Sequence, residues 1–152
     1  MQQIPPLWLD PETLLARRTP DHPILYFSPR VLHQVAERFQ AGFGGLVTYA
    51  VKANPHPAVL SKLVAAGIPA FDVASPAEME AVRAASPDAK MHYNNPMRSR
   101  VEIDAGIAHD VSSWSVDEVS ELEKLHAVPR DKEIAVRFAL PVAGAAYDFG
   151  SK

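Results

Sequence analysis

The stretch Thr48-Tyr49-Ala50-Val51-Lys52-Ala53-Asn54-Pro55 gives the strongest single indication of the fold. With Leu46 and Val47 before it, its first half is a short apolar run of the kind that forms a buried strand. The run ends in a lysine, and the Asn-Pro pair that follows is typical of a turn. Parallel α/β folds place their active sites at the carboxyl ends of the strands, so this lysine is predicted to lie at that edge. Desolvation there favours the neutral amine, the form that attacks an aldehyde.

Short apolar runs of the same kind recur along the chain and alternate with helical segments. This alternation is the pattern of βα units and predicts a parallel sheet. From Leu46 onward the unit repeats roughly every 20 to 24 residues, which is enough for a strand, a helix and two short loops. The predicted strands cover residues 24–27, 46–51, 70–74, 90–94, 110–114 and 134–139.

Capping signals mark the ends of the intervening helices. Ser28 followed by Pro29 predicts an N-cap with proline at the first helical position. A serine followed three residues later by glutamate predicts capping boxes at 75–78 and 115–118. Apolar residues at helical spacing predict buried helix faces within 59–64 and 116–125. Glycines that suit helix ends are Gly42 and Gly67.

Two architectures fit this alternation of strands and helices. An open doubly wound sheet and a (β/α)₈ barrel are built from the same βα unit, so periodicity does not separate them. The chain has 152 residues. A barrel needs about 250 residues, so this chain would supply about five of its strands. We therefore expect an incomplete α/β unit that continues downstream.

Composition limits the classes of partner and compartment. Hydrophobic residues make up 47% of the chain and charged residues 22%, near the average of a globular domain. The net charge of -3 gives no reason to expect nucleic acid or an anionic membrane, which favours a small-molecule partner. Without cysteine there is no disulfide framework, and no His/Asp/Glu spacing predicts a metal site. The absence of a secretory signal and of an apolar run near roughly 20 residues predicts a cytoplasmic protein.

Two segments stand at a characteristic separation: residues 49–54, Tyr-Ala-Val-Lys-Ala-Asn, and residues 71–75, Phe-Asp-Val-Ala-Ser, followed by Glu78. Together they resemble the two signatures of the fold-type III pyridoxal-phosphate-dependent decarboxylases, the ornithine/lysine/diaminopimelate decarboxylase family. Three further segments agree with this resemblance, which spans residues 23–152. They are Tyr93-Asn94-Asn95-Pro96 after the third barrel strand, Val136-Arg137-Phe138 on the strand with a cofactor-site arginine, and Phe149-Gly150-Ser151-Lys152 at the start of a Ser-Lys-Phe-Gly element.

The resemblance implies an architecture for the complete protein. It implies the N-terminal part of a (β/α)₈ TIM barrel of the alanine racemase/ornithine decarboxylase type, incomplete in this chain. Residues 1–22 would form an N-terminal extension and residues 23–152 a partial barrel domain that binds pyridoxal 5′-phosphate, with the C-terminal β-domain absent. The family also implies a homodimer with its sites at the subunit interface. The 152 residues alone are expected to be inactive.

The resemblance further implies roles for four residues. Lys52 is expected to bind pyridoxal 5′-phosphate covalently, Asp72 and Arg137 to line the cofactor pocket, and Ala50 to pack beneath the cofactor. The plain alternatives are a surface lysine, a solvated strand end at Asp72 and an ion-pair partner inside the barrel at Arg137. Capping explains Glu78, and ordinary turn chemistry explains residues 94–96.

The sequence of residues 71–75 and 94–96 resembles ornithine-type or lysine/ornithine-type enzymes more closely than diaminopimelate decarboxylase. The expected reaction is decarboxylation of a basic L-amino acid in polyamine biosynthesis, ornithine to putrescine first and lysine to cadaverine second. Diaminopimelate decarboxylase and carboxynorspermidine decarboxylase are alternatives. Alanine racemase is a weaker one, because its usual Tyr-Gly-His-Gly run is replaced by residues 55–57, Pro-His-Pro. A non-catalytic cofactor carrier or regulatory homologue is the alternative of another class, and retention of Lys52 argues against it.

Overall fold

The structure is a computed structural model and describes residues 7–138. Among these residues, every helix is too short or not apolar enough to span a membrane. Two 3₁₀ turns, Val51–Ala53 and Leu125–Ala127, accompany the helices and strands. The helices are α1 (Pro11–Arg17), α2 (Pro29–Gly42), α3 (Pro57–Ala65), α4 (Pro76–Ala85), α5 (Arg100–Ala108) and α6 (Val119–Lys124). The strands are β1 (Thr48–Ala50), β2 (Ala70–Val73), β3 (Lys90–Tyr93), β4 (Ser113–Val116) and β5 (Glu133–Val136).

All five strands are parallel and lie side by side in chain order, from β1 to β5. Successive strands begin between 20 and 23 residues apart, as the sequence period predicts. A doubly wound sheet reverses its strand order at a switch point, and no reversal occurs among these five strands. The order is that of consecutive units of a barrel. The predicted fold class, the N-terminal part of a (β/α)₈ barrel, is therefore confirmed.

Most of the predicted helix ends are confirmed. Ser28 caps α2 through its side chain, Pro29 is the first residue of that helix, and the helix ends at residue 42. Gly67 follows the C-cap of α3 with φ of 81°, a left-handed conformation that glycine adopts without a Cβ penalty. A full capping box between Ser99 and Glu102, which was not predicted from the sequence, starts α5.

The strands predicted at residues 24–27 and 110–114 differ most from the structure. Residues 24–27 form no strand, and Leu25 is 99% exposed. A strand needs a hydrogen-bonded neighbour, and the sheet of the described residues begins only at β1. The strand predicted at residues 110–114 begins at Ser113, because Asp110 adopts a left-handed turn with φ of 54°.

The capping box predicted at residues 115–118 is wrong. Ser115 lies within β4, where the ladder with β5 continues through it, and α6 starts later, at Val119, with no side-chain cap. The apolar face predicted within residues 116–125 is also wrong for α6, since Val119 and Leu122 are 67% and 45% exposed. The serine and glutamate have the spacing of a box, but strand pairing takes precedence at this position.

One apolar core lies between the sheet and helices α3, α4 and α5. The predicted apolar face of α3 is confirmed, with Leu60 fully buried and Val59 and Leu63 nearly so. The largest buried side chain is Trp114 of β4, which packs beside the ring of Tyr93 at a centroid distance of 5.7 Å. These contacts fix α3, α4 and α5 on one face of the sheet.

Substituting Gly106 with alanine is expected to destabilise this core. A Cβ at Gly106 would overlap Cη2 of Trp114 and lie 3.1 Å from its Cζ2 and Cζ3 atoms. Overpacking of this kind costs roughly 1–3 kcal/mol in the free energy of unfolding. Urea unfolding of the full-length protein measures the effect, and Ala108→Gly in the same helix is the control. An unchanged midpoint for Gly106→Ala would mean that the Trp114 ring moves aside freely.

Candidate active site

The two faces of the sheet differ in polarity. The large apolar side chains of β2, β3 and β4 face the helices. Side chains alternate along a strand, so the residues between them point to the opposite face, which corresponds to the interior of a barrel. We call it the inner face. The strand register aligns one residue from each strand in a row across it: Ala50, Asp72, His92, Ser113 and Glu133.

Lys52 lies at the carboxyl end of β1, in the middle of the 3₁₀ turn Val51–Ala53. The turn is closed by a hydrogen bond from the Asn54 N–H to the Val51 carbonyl (3.1 Å), and the Tyr49 hydroxyl donates to the Asn54 carbonyl (3.3 Å). The Lys52 side chain is exposed and belongs to none of the ion pairs among residues 7–138. The location at the carboxyl edge is as predicted, but this part of the chain does not provide the expected desolvation.

Asp72 and Ala50 are register partners on the inner face. Both side chains are half-buried, and Asp72 belongs to none of the ion pairs among residues 7–138. Ala50 contributes only a methyl group, which leaves room above the sheet next to the carboxylate. An amine and a carboxylate are thus presented by neighbouring strands near one edge.

Arg137 directly follows β5, where its N–H donates to the Val116 carbonyl (2.8 Å). Its position in the strand alternation matches Glu133 and Ala135, so it belongs to the inner face. Its side chain is exposed. The structure therefore brings all four predicted site residues to the inner face or its carboxyl edge, while no described hydrogen bond joins one of them to another.

The turn between β2 and α4 is held by Ser75 and Glu78. The Glu78 N–H donates to Ser75 Oγ (3.3 Å), which confirms the predicted cap. The Glu78 carboxylate accepts from the Ala74 N–H (2.8 Å), one residue earlier than a capping box requires. The two bonds fix the backbone just after Asp72.

Two cross-strand hydrogen bonds on the inner face were not predicted from the sequence. His92 Nδ1 and Ser113 Oγ lie 2.6 Å apart, and Ser115 Oγ donates to Asn94 Oδ1 at 2.7 Å. The second bond lies nearer the carboxyl edge than the first. The buried Nε2 atom of His92 has no hydrogen-bond partner among residues 7–138. Both bonds depend on strand register, which local sequence patterns do not reveal.

Arg98, in the loop between β3 and α5, is only 3% exposed. Its guanidinium donates to the carbonyls of Tyr93 (3.4 Å), Pro96 (3.3 Å) and Ser115. The same group lies 5.2 Å from the centroid of the Tyr93 ring and 5.5 Å from that of Trp114. Arg98 thus joins the ends of β3 and β4. In the sequence, Arg98 lies in a polar loop and has the pattern of a solvated cation, so no local signal predicted that it connects β3 and β4.

The backbone of Arg98 is anchored as well. Its carbonyl accepts from Lys124 Nζ (3.0 Å), and its N–H donates to Glu121 Oε2 (3.4 Å). The hydrogen bond from Lys124 holds the pKa of Glu121 below its usual range. Burial lowers the pKa of the Arg98 guanidinium and raises the pKa of Tyr93 to about 12. The phenol is therefore a neutral group against which the buried cation packs.

The inner face fits a flat, anionic aldehyde cofactor. Lys52 offers a primary amine at the carboxyl edge, with no ion-pair partner in residues 7–138 that would have to be displaced. The small side chain of Ala50 leaves space for a ring, and Arg137 adds a cation at the other end of the same edge. These groups are suited to covalent attachment and to binding of anionic oxygen atoms.

Comparison with known proteins gives a consistent result. A family model described as "Pyridoxal-dependent decarboxylase, pyridoxal binding domain" matches residues 30–152. The chain is 34% identical over 143 residues to the lysine/ornithine decarboxylase of Selenomonas ruminantium, and 33% identical over 103 residues to the diaminopimelate decarboxylase of Pseudomonas aeruginosa. A crystal structure of lysine decarboxylase from Selenomonas ruminantium superposes with a TM-score of 0.73 at 29% identity.

These matches cover most of this chain but a minority of each relative. The two sequence matches include 91% and 67% of this chain, and 35% and 25% of the relatives. The structural match covers 88% of this chain and 35% of the crystallised one. The chain thus spans about a third or less of the length of the proteins it matches.

Proposed function

Since the chain belongs to the family of pyridoxal-dependent decarboxylases, whose pyridoxal-binding domain matches residues 30–152, we propose that the complete protein decarboxylates a basic L-amino acid. Ornithine, giving putrescine, is the first substrate of this proposal, and lysine, giving cadaverine, is the second. The observation that supports it most is the exposed Lys52 amine at the carboxyl edge, beside the inner-face carboxylate of Asp72. The similarity to a lysine/ornithine decarboxylase supports the substrate class.

In this proposal each inner-face residue has a defined task. Lys52 Nζ would hold pyridoxal 5′-phosphate by condensing with its aldehyde, which releases the carbonyl oxygen as water, and the free amine can carry a proton. The guanidinium of Arg137 has paired donors that suit an anionic oxygen. Asp72 accepts hydrogen bonds next to the cofactor, and Ala50 packs beneath it. When bound, the cofactor supplies the electron sink for the carbanion left by loss of carbon dioxide.

The same proposal covers the rest of the protein. Residues 1–22 are an N-terminal extension, residues 23–152 the first part of the barrel, and the complete protein adds a C-terminal β-domain. The complete protein is a cytoplasmic homodimer with sites at the subunit interface, and it serves polyamine biosynthesis. The free β1 edge of the described sheet is compatible with further barrel strands pairing there.

Substrate choice is tested by carbon dioxide release from the full-length protein with added pyridoxal 5′-phosphate. We expect kcat/KM for L-ornithine or L-lysine to exceed that for meso-diaminopimelate by at least about tenfold, the effect of one hydrogen bond to a charged group. The similarity to a diaminopimelate decarboxylase makes that enzyme the second candidate, and the reverse order of kcat/KM would establish it. Cofactor binding without turnover of any of the three would favour a non-catalytic carrier.

A further inference from the structure

Two arginines, Arg98 and Arg83, each donate hydrogen bonds to several backbone carbonyls near β3 and β4. They lie at opposite ends of these two strands. Arg98 joins the carboxyl ends of β3 and β4 through carbonyls that include those of Tyr93 and Ser115. Arg83, on α4, donates to carbonyls in the loops that lead into β3 and β4, among them Ala89 (2.6 Å) and His109 (3.1 Å). Each arginine therefore fixes the distance between the same two strands at one end.

At the carboxyl end, the Asn94–Ser115 hydrogen bond between β3 and β4 lies beside the contacts of Arg98. Next to the carbonyl that accepts from Arg98, Ser115 Oγ donates to Asn94 Oδ1 (2.7 Å). The amide oxygen of Asn94 is the acceptor in this bond, and its NH₂ group takes no part in it. The Asn94 side chain is exposed on the inner face, near the edge where Lys52 lies. Ordinary turn chemistry explains an asparagine after a strand, but it does not require this cross-strand bond to a buried serine.

Because Ser115 donates to its oxygen, the Asn94 amide is oriented with its NH₂ group, which carries two N–H donors, on the side away from that bond, where it can donate to a ligand. Donors of this kind bind an anionic oxygen, which the proposed cofactor carries on its phosphate and ring and an amino-acid substrate carries on its carboxylate. The direction of the donor depends on the separation of β3 and β4 at this end. Arg98 sets that separation from inside the core, with its backbone anchored to α6.

We propose that Arg98 is a positioning residue for the active site, which holds the Asn94–Ser115 pair so that the Asn94 amide donates to an anionic oxygen of the cofactor or the substrate. The proposal rests on the proposed function, because it assumes that a ligand occupies the inner face. It assigns to Asn94 a binding role in addition to its place in the turn.

The test uses the full-length protein and pairs two substitutions, Arg98→Met and Arg83→Met. Each removes a guanidinium that contacts several carbonyls, so both are expected to lower the thermal midpoint. Only Arg98→Met is expected to weaken ligand binding, by roughly ten- to a hundredfold, the range for a lost hydrogen bond to a charged group. Binding is measured as the dissociation constant of pyridoxal 5′-phosphate, from absorbance titration of the apoprotein, and as the KM of the amino acid.

Asn94→Ala tests the donor directly and keeps the proposal testable if Arg98→Met does not fold. A rise in the cofactor dissociation constant identifies a cofactor oxygen as the acceptor, and a rise in KM at unchanged cofactor affinity identifies the substrate carboxylate. The proposal is overturned if Asn94→Ala changes neither quantity, or if Arg98→Met and Arg83→Met affect binding equally. Wild-type protein that gives no cofactor absorbance band overturns the proposed function itself, and this inference with it.

Discussion

Replacing Lys52 with alanine in the full-length protein is expected to lower kcat for decarboxylation on the order of a thousandfold or more, as for removal of other covalent catalytic groups. Lys52 is exposed at the carboxyl edge of β1, where an aldehyde ligand on the inner face can reach its amine. Lys52→Arg is expected to be equally inactive, because a guanidinium keeps the charge but does not form the covalent bond. Comparing the two variants separates covalent attachment of the cofactor from its electrostatic attraction to a positive charge.

The covalent bond between Lys52 and the cofactor can be measured directly. Borohydride reduction after addition of pyridoxal 5′-phosphate, followed by peptide mass spectrometry, is expected to place a stable adduct at Lys52. The matched control is Lys90→Ala. Lys90 is also exposed and belongs by strand alternation to the inner face, but it lies at the amino end of β3, away from the carboxyl edge. Its substitution should leave both the adduct and kcat unchanged. An adduct that persists at another lysine in Lys52→Ala would contradict the assignment.

The location of Lys52 and Asp72 was predictable because it depends on short-range patterns. A run of apolar residues predicts a strand, and a serine followed three residues later by glutamate predicts the start of the helix after β2. The carboxyl edge of the strand lies between these two signals. The strand order from β1 to β5 was left open between two folds, since a βα period is the same in both. Strand order is a long-range property, and periodicity alone does not contain it.

Arg98 and Ser115 show what the sequence could not reveal. Arg98 is a charged residue in a loop, and only the chain fold places two aromatic rings and three carbonyls around it. Ser115 has the local spacing of a helix cap, yet the ladder to β5 keeps it in β4 and directs its hydroxyl to Asn94. In both cases a tertiary contact decides the role of a residue whose local pattern is ordinary.

Substituting Trp114 with alanine is expected to cause the largest loss of stability. Trp114 is 1% exposed, lies against Gly106 of α5 and packs beside the Tyr93 ring. Truncation of a buried tryptophan to alanine costs roughly 3–5 kcal/mol in the free energy of unfolding, because a cavity replaces the ring. Urea unfolding of the full-length protein, followed by circular dichroism, measures the change without depending on tryptophan fluorescence.

The control is Trp8→Ala, since Trp8 is half-buried and lies outside the core cluster, with the Arg18 guanidinium 6.0 Å from its ring centroid. Its loss should cost less than about 1 kcal/mol in the free energy of unfolding.

Trp114 also supports the Arg98 guanidinium, which lies 5.5 Å from its ring centroid, so Trp114→Phe provides a further comparison. A phenylalanine keeps an aromatic face for the cation but fills less of the core. If the ring serves Arg98 as well as the core, Trp114→Phe should lose stability yet keep most of its cofactor affinity. Equal loss of cofactor affinity in Trp114→Phe and Trp114→Ala would show that an aromatic face at this position does not support Arg98.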